Sequence, residues 1–140
     1  MGDQTMCLTK CINKGPTKEI LYTVARIIIG FIFMSHGAQM LFGILGKEAI
    51  PLASSMGVFK LFEFLIGIAL ILGLLTRLAA IGGAIQMILA YGMAHMSKSL
   101  HPLTNGGEAA VLYFAAFLIF IAFGSGKYSL EQAAFKKEIL

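Results

Sequence analysis

Tryptophan is absent from the 140-residue chain, and cysteine, proline and charge are scarce: two Cys, three Pro, eleven Lys or Arg and seven Asp or Glu. Each shortage excludes something. Two cysteines are too few for a disulfide framework or a four-ligand zinc set. Without Trp, an interfacial aromatic belt can draw only on four Tyr. Charged residues make up 13% of the chain, against about 25% in a soluble domain. So few charges cannot cover a soluble globule of this size in water. Disorder is excluded too, because it needs low hydrophobicity and high charge.

What is present is apolar. Hydrophobic residues make up 58% of the chain and its mean hydropathy is +0.84. The solvent this composition suits is lipid. A spanning helix takes about 20 apolar residues, so four spans nearly fill the chain. No length remains for a separate catalytic domain, and any chemistry must sit in the bundle, at its rim or on a partner. The net charge of +4 and pI near 9.2 do not indicate nucleic-acid binding, because the basic residues are scattered singly. No Walker-type loop or nucleophile elbow occurs. Met1 to Lys18 is polar and lacks an apolar h-region, so no cleavable signal peptide is expected.

Four apolar runs follow, at about 20–42, 56–75, 78–96 and 107–123. They are apolar on all faces and lack the dyad alternation of barrel strands, so they predict helices. The expected fold is all-α, an integral membrane four-helix bundle. Residues 1–18 form a polar cytoplasmic tail, 19–126 the four-span domain and 127–140 a cytoplasmic amphipathic tail. The Gly/Ala-rich third run suits close helix packing, and the Thr76-Arg77 break predicts an antiparallel hairpin of the second and third spans.

Lys and Arg in the connections set the orientation. Lys10, Lys14, Lys18, Arg77, Lys127, Lys136 and Lys137 fall on one side, and Lys47, Lys60 and Lys98 on the other. The excess places both termini in the cytoplasm of a prokaryotic plasma-membrane protein. Cys7 and Cys11 would share a helix face but read as free cytoplasmic thiols.

Polar residues within the runs sort by depth. With four antiparallel spans, His36, Gln39, Lys60, Glu63, His95 and Glu108 all fall toward the non-cytoplasmic side. Ionisable groups in spans are costly and usually face the bundle interior or a water-filled cavity. Glu63 needs a partner or a proton, and His36 and Lys60 are the candidates. One reading is a pocket that binds a polar head group and exchanges protons through Glu63 and His36. The other is that these groups fix helix packing. No metal is expected: di-metal bundles use Glu-x-x-His on facing helices, and no such pair occurs.

Four stretches resemble the DoxX family of small four-span membrane proteins. The first holds Arg26, Gly30, His36-Gly37 and Phe42-Gly43. The second holds Glu63, Gly67 and LGLLTR from Leu72 to Arg77. The third is Asn105-Gly106-Gly107-Glu108, and the fourth is GSGKYSLEQ from Gly124 to Gln132. Ser125 and Glu131 depart from the Pro and Asp common in the family. The resemblance implies membrane redox chemistry. Related proteins include a subunit of a thiosulfate:quinone oxidoreductase and a membrane component linked to thiol and superoxide defence. It implies a quinone as cofactor, held by the outer polar cluster, or alternatively a cytoplasmic-side site at Arg26 or Arg77. The chain would then be an oxidoreductase subunit with a membrane or soluble redox partner. The alternative is a non-enzymatic membrane subunit or small-solute carrier, and a homo-oligomer stays open.

Overall fold

The computed structural model describes residues 16–136. The expectations for Cys7, Cys11, Lys10, Lys14 and Lys137 lie outside the described residues. Among the described residues six helices follow in order: α1 Pro16–Phe42, α2 Ser55–Leu72, α3 Thr76–Ala94, α4 Pro102–Asn105, α5 Glu108–Phe123 and α6 Leu130–Phe135. Among the described residues there is no strand. The bundle is all-α, as the apolar runs predict.

Three of the helices, α1, α2 and α3, are long and apolar enough to cross a bilayer. The fourth, α5, is apolar but has 16 residues, about 24 Å at 1.5 Å per residue. By contrast α1, with 27 residues, is about 40 Å long. It begins four residues before the apolar run because Pro16 suits a first turn and Glu19 complements the positive end of the helix dipole. Its outer surface carries Ile28, Phe31 and Ile32, all exposed, a face suited to lipid rather than water.

Helix ends follow local chemistry. Ser54 caps α2 by accepting from the Gly57 N–H at 3.0 Å. Gly73 ends α2 in the left-handed region, at φ +65°. Leu75, also left-handed, then turns the chain directly into α3.

The closest pairings are α1 with α2 and α3 with α5. In α1 and α2 the backbones themselves meet. A Cβ on Gly37 would lie 2.6 Å from Phe64 N, and one on Gly67 would lie 2.4 Å from Met34 N. These glycines let the helices approach backbone to backbone. The third run packs closely as well, against α5: Gly83 makes room for the Phe117 ring, and Ala80 and Ala84 are buried. The shared core is Phe33, Ile66, Leu70, Met87, Phe117 and Phe120 with small alanines between them. Phe33 and Phe117 meet edge to face at 5.0 Å. Gln86 donates to Phe59 O at 2.8 Å and so ties α3 to α2.

The ends of the bundle differ. At one end lie the start of α1, the α2–α3 turn and the segment after α5. At the other lie the α1–α2 connection and α4. The first is the end rich in Lys and Arg.

Candidate functional site

The expected outer cluster separates into three parts. The first is on α2. Lys60 Nζ lies 2.6 Å from Glu63 Oε2, one helical turn apart, with both side chains mostly buried. A carboxylate at this depth requires such a partner. On the same helix, i and i+3 residues share a face, so the pair forms without help from other elements.

The second part joins α1 to α5. His36 packs edge-on against the Tyr113 ring at 6.2 Å. Tyr113 also packs at a tilt against Phe33 at 5.2 Å and stacks on Phe117 at 6.2 Å. Its phenol lies within electrostatic reach of the Glu63 carboxylate. Gly37, next to His36, touches Lys60 O, so the imidazole and the ion pair share one level of the bundle. Tyr113 thus touches His36 at the level of the ion pair, a place its sequence context does not announce. The available signal was a lone phenol in an otherwise apolar α5.

The third part is at the rim opposite the basic end. His95 Nδ1 lies 3.1 Å from Asn105 O. Asn105, buried, donates to Tyr91 Oη at 3.0 Å and to Ser99 O at 2.8 Å, and accepts from Gly107 N at 2.7 Å. Tyr91 in turn donates to Leu100 O. His95 is therefore tied into a knot that fastens α4 between α3 and α5. Glu108 is exposed at the start of α5, where its charge suits the helix N-terminus. Gln39 is half-buried near the end of α1. His101 caps α4 by accepting from Leu103 N.

A second polar assembly occupies the basic end. Arg26, 1% exposed, donates to Ser125 O and to Tyr128 O, the latter at 2.9 Å. Tyr22 donates to Gly124 O at 2.5 Å. Glu131 is fully buried, and its backbone N–H donates to Gly73 O at 3.3 Å. Arg26, the LGLLTR turn and GSGKYSLEQ, distant in sequence, thus converge on one place. A guanidinium with two planar donors can bind carbonyls of one segment simultaneously, which an ammonium does less well. This arrangement holds the chain after α5 under the bundle. No His/Cys/Asp/Glu group able to hold a metal occurs among the described residues.

The family model described as DoxX matches residues 21–96, from α1 through α3. The Asn105–Glu108 and Gly124–Gln132 stretches lie beyond that match. An uncharacterized protein of Haemophilus influenzae is 34% identical over 122 residues, covering 80% of this chain and 89% of the relative. A second uncharacterized protein of the same organism is 34% identical over 77 residues, covering 55% of this chain and 48% of the relative. No solved structure matches.

Proposed function

The chain belongs to the DoxX family, and we propose that it serves a quinone-linked or thiol-linked redox system of a prokaryotic plasma membrane as a multi-pass subunit, with both termini cytoplasmic. The observation that carries this reading is the grouping of Lys60, Glu63, His36 and Tyr113 at one level of an otherwise apolar bundle. Proton carriers at such depth are costly and usually serve function.

The donor set fits a quinone. The ring oxygens need hydrogen-bond donors, and the tail needs apolar walls. Tyr113 and His36 can donate, Lys60 adds positive charge, and Phe33 and Phe117 wall the level with aromatic rings. A quinone would supply two-electron chemistry coupled to proton uptake. This chain's own part is to hold and move those protons. Glu63, paired with Lys60, would relay a proton to the neighbouring imidazole, or restore one to the phenol after the phenol has given up its own. Gln39, His95 and Glu108 lie nearer the rim, where they would line the approach. The electrons would come from a membrane or soluble partner subunit, because no resident electron carrier motif occurs in the sequence.

One observation favours a second reading. Lys60 already neutralises Glu63 within one helix, as a purely structural pair would. In that reading the chain is a non-enzymatic subunit or solute carrier. Titrating a short-chain quinone analogue into the full chain in lipid nanodiscs distinguishes them. The redox reading expects saturable binding that weakens about tenfold or more in folded Glu63→Gln and His36→Ala proteins. Affinity that is absent, or unchanged from the wild type in both variants, overturns it.

A further inference from the structure

The basic end carries a cavity of about 460 Å³ lined by Lys18, Glu19, Tyr22, Phe123, Lys127 and Gln132, among others. It lies where α1 outruns α5. Tyr22 packs on Phe120 and Phe123 at 6.0 and 5.9 Å, so the six residues from Pro16 to Leu21 extend about 9 Å past the end of α5. The turn after α5 rises beside this overhang, and its Lys127 N–H donates to Glu19 Oε2 at 3.3 Å. The cavity therefore sits at the end of the apolar length of α5, where lipid headgroups would begin. Around it, Tyr128, Leu130 and Phe135 are exposed, and Lys127 and Lys136 flank them, the pattern of a segment lying in the membrane interface.

From this placement we infer that the cavity is a site for the phosphate headgroup of an acidic membrane phospholipid. Lys18 and Lys127 supply the two cations. Tyr22 and Phe123 give an apolar wall for the first part of the acyl chains. Glu19 opposes the anion, but its carboxylate accepts from the Lys127 backbone and is outnumbered by the two ammonium groups. Basic groups near a membrane surface each contribute about 1 kcal/mol of attraction to anionic lipid. This site is separate from the outer cluster and does not depend on any redox role.

The test uses the full chain in a neutral detergent, titrated with phosphatidylglycerol, phosphatidylcholine or inorganic phosphate at constant ionic strength. Phosphatidylglycerol is expected to bind at least about tenfold more tightly than phosphatidylcholine, and phosphate not to displace it. Lys127→Gln should weaken binding about fivefold and Lys18→Gln/Lys127→Gln further, while Lys18→Arg/Lys127→Arg keeps it and Glu19→Gln strengthens it. Lys136→Gln removes a charge at the same end without lining the cavity and should change affinity less than twofold. Equal binding of both lipids overturns the inference. So does an effect of Lys136→Gln as large as that of Lys127→Gln, which indicates diffuse attraction. Displacement by phosphate assigns the cavity to a soluble anion and overturns the lipid assignment.

Discussion

Gly73 lies flat against the guanidinium of Arg26: a Cβ at position 73 would fall 2.6 Å from Arg26 Nη1, and equally close to Ser129 Cβ. Gly73 also has φ +65° and its carbonyl accepts from Glu131 N. One glycine thus ends α2, admits the arginine and receives the chain after α5. Two penalties follow for Gly73→Ala, the left-handed conformation and the clash with a buried cation. We expect a loss of at least about 2 kcal/mol in unfolding measured in detergent.

Arg26→Ala attacks the same assembly from the other side. It leaves the buried carbonyl of Ser125 and the carbonyl of Tyr128 without this donor. Each such loss costs about 1–3 kcal/mol. Arg26→Lys should recover only part of the stability, because an ammonium lacks the planar fork. Hydrogen exchange would locate the effect: amides of residues 124–135 should lose protection before those of α3. Equal loss across the whole bundle would show that Arg26 acts otherwise.

The α1–α2 seam makes a sharper comparison, because glycines in similar helices face different surroundings. Gly67→Ala would drive a Cβ to within 2.4 Å of Met34 N, while Gly92 has nothing within 4 Å of its missing Cβ. Gly67→Ala should cost about 1–3 kcal/mol by overpacking. Gly92→Ala should raise stability by about 0.5–1 kcal/mol through helix propensity alone. Opposite signs in one unfolding assay are the expected result.

The Lys60–Glu63 pair predicts a particular non-additivity. Lys60→Met leaves a mostly buried carboxylate without its cation, which costs about 3–5 kcal/mol. Glu63→Leu strands the ammonium, which is less buried, and should cost less. Lys60→Met/Glu63→Leu removes both charges and should lie nearer the wild type than Lys60→Met does. A double variant as unstable as the sum of the singles would mean that the two charges are not coupled in the protein.

These interactions differ in how far the sequence reveals them. The helices are legible because all-round apolarity has one structural solution in lipid, and Glu63 stands out because a carboxylate in such a run needs an explanation. The i, i+3 spacing of Lys60 and Glu63 is likewise visible, since helix geometry alone brings them together. Arg26 is visible as a lone cation near a helix end. Its actual acceptors are backbone carbonyls about a hundred positions away, which no side-chain complementarity announces. His95 was grouped with Glu63 by depth, yet it bonds the Asn105 carbonyl, for the same reason: backbone acceptors carry no sequence signature. The Gly/Ala-rich third run packs closely as its composition suggests, but composition cannot say which glycine faces a neighbouring backbone. Gly37 and Gly67 do so because their helices run side by side along the full seam.

Tyr113 is where structural and functional readings of the outer cluster part. Its ring is held by Phe33, Phe117 and His36, so Tyr113→Phe preserves every ring contact. The variant loses one hydroxyl from a half-buried position and should unfold within about 1 kcal/mol of the wild type. Were the cluster only packing, nothing else would change. Were the phenol a donor to a quinone ring oxygen, analogue affinity should fall by about tenfold, the equivalent of one hydrogen bond of ~1.4 kcal/mol. Binding and stability measured on the same preparation therefore separate the two. A variant with unchanged affinity and unchanged stability would remove Tyr113 from the site and leave Glu63 and His36 to act without it.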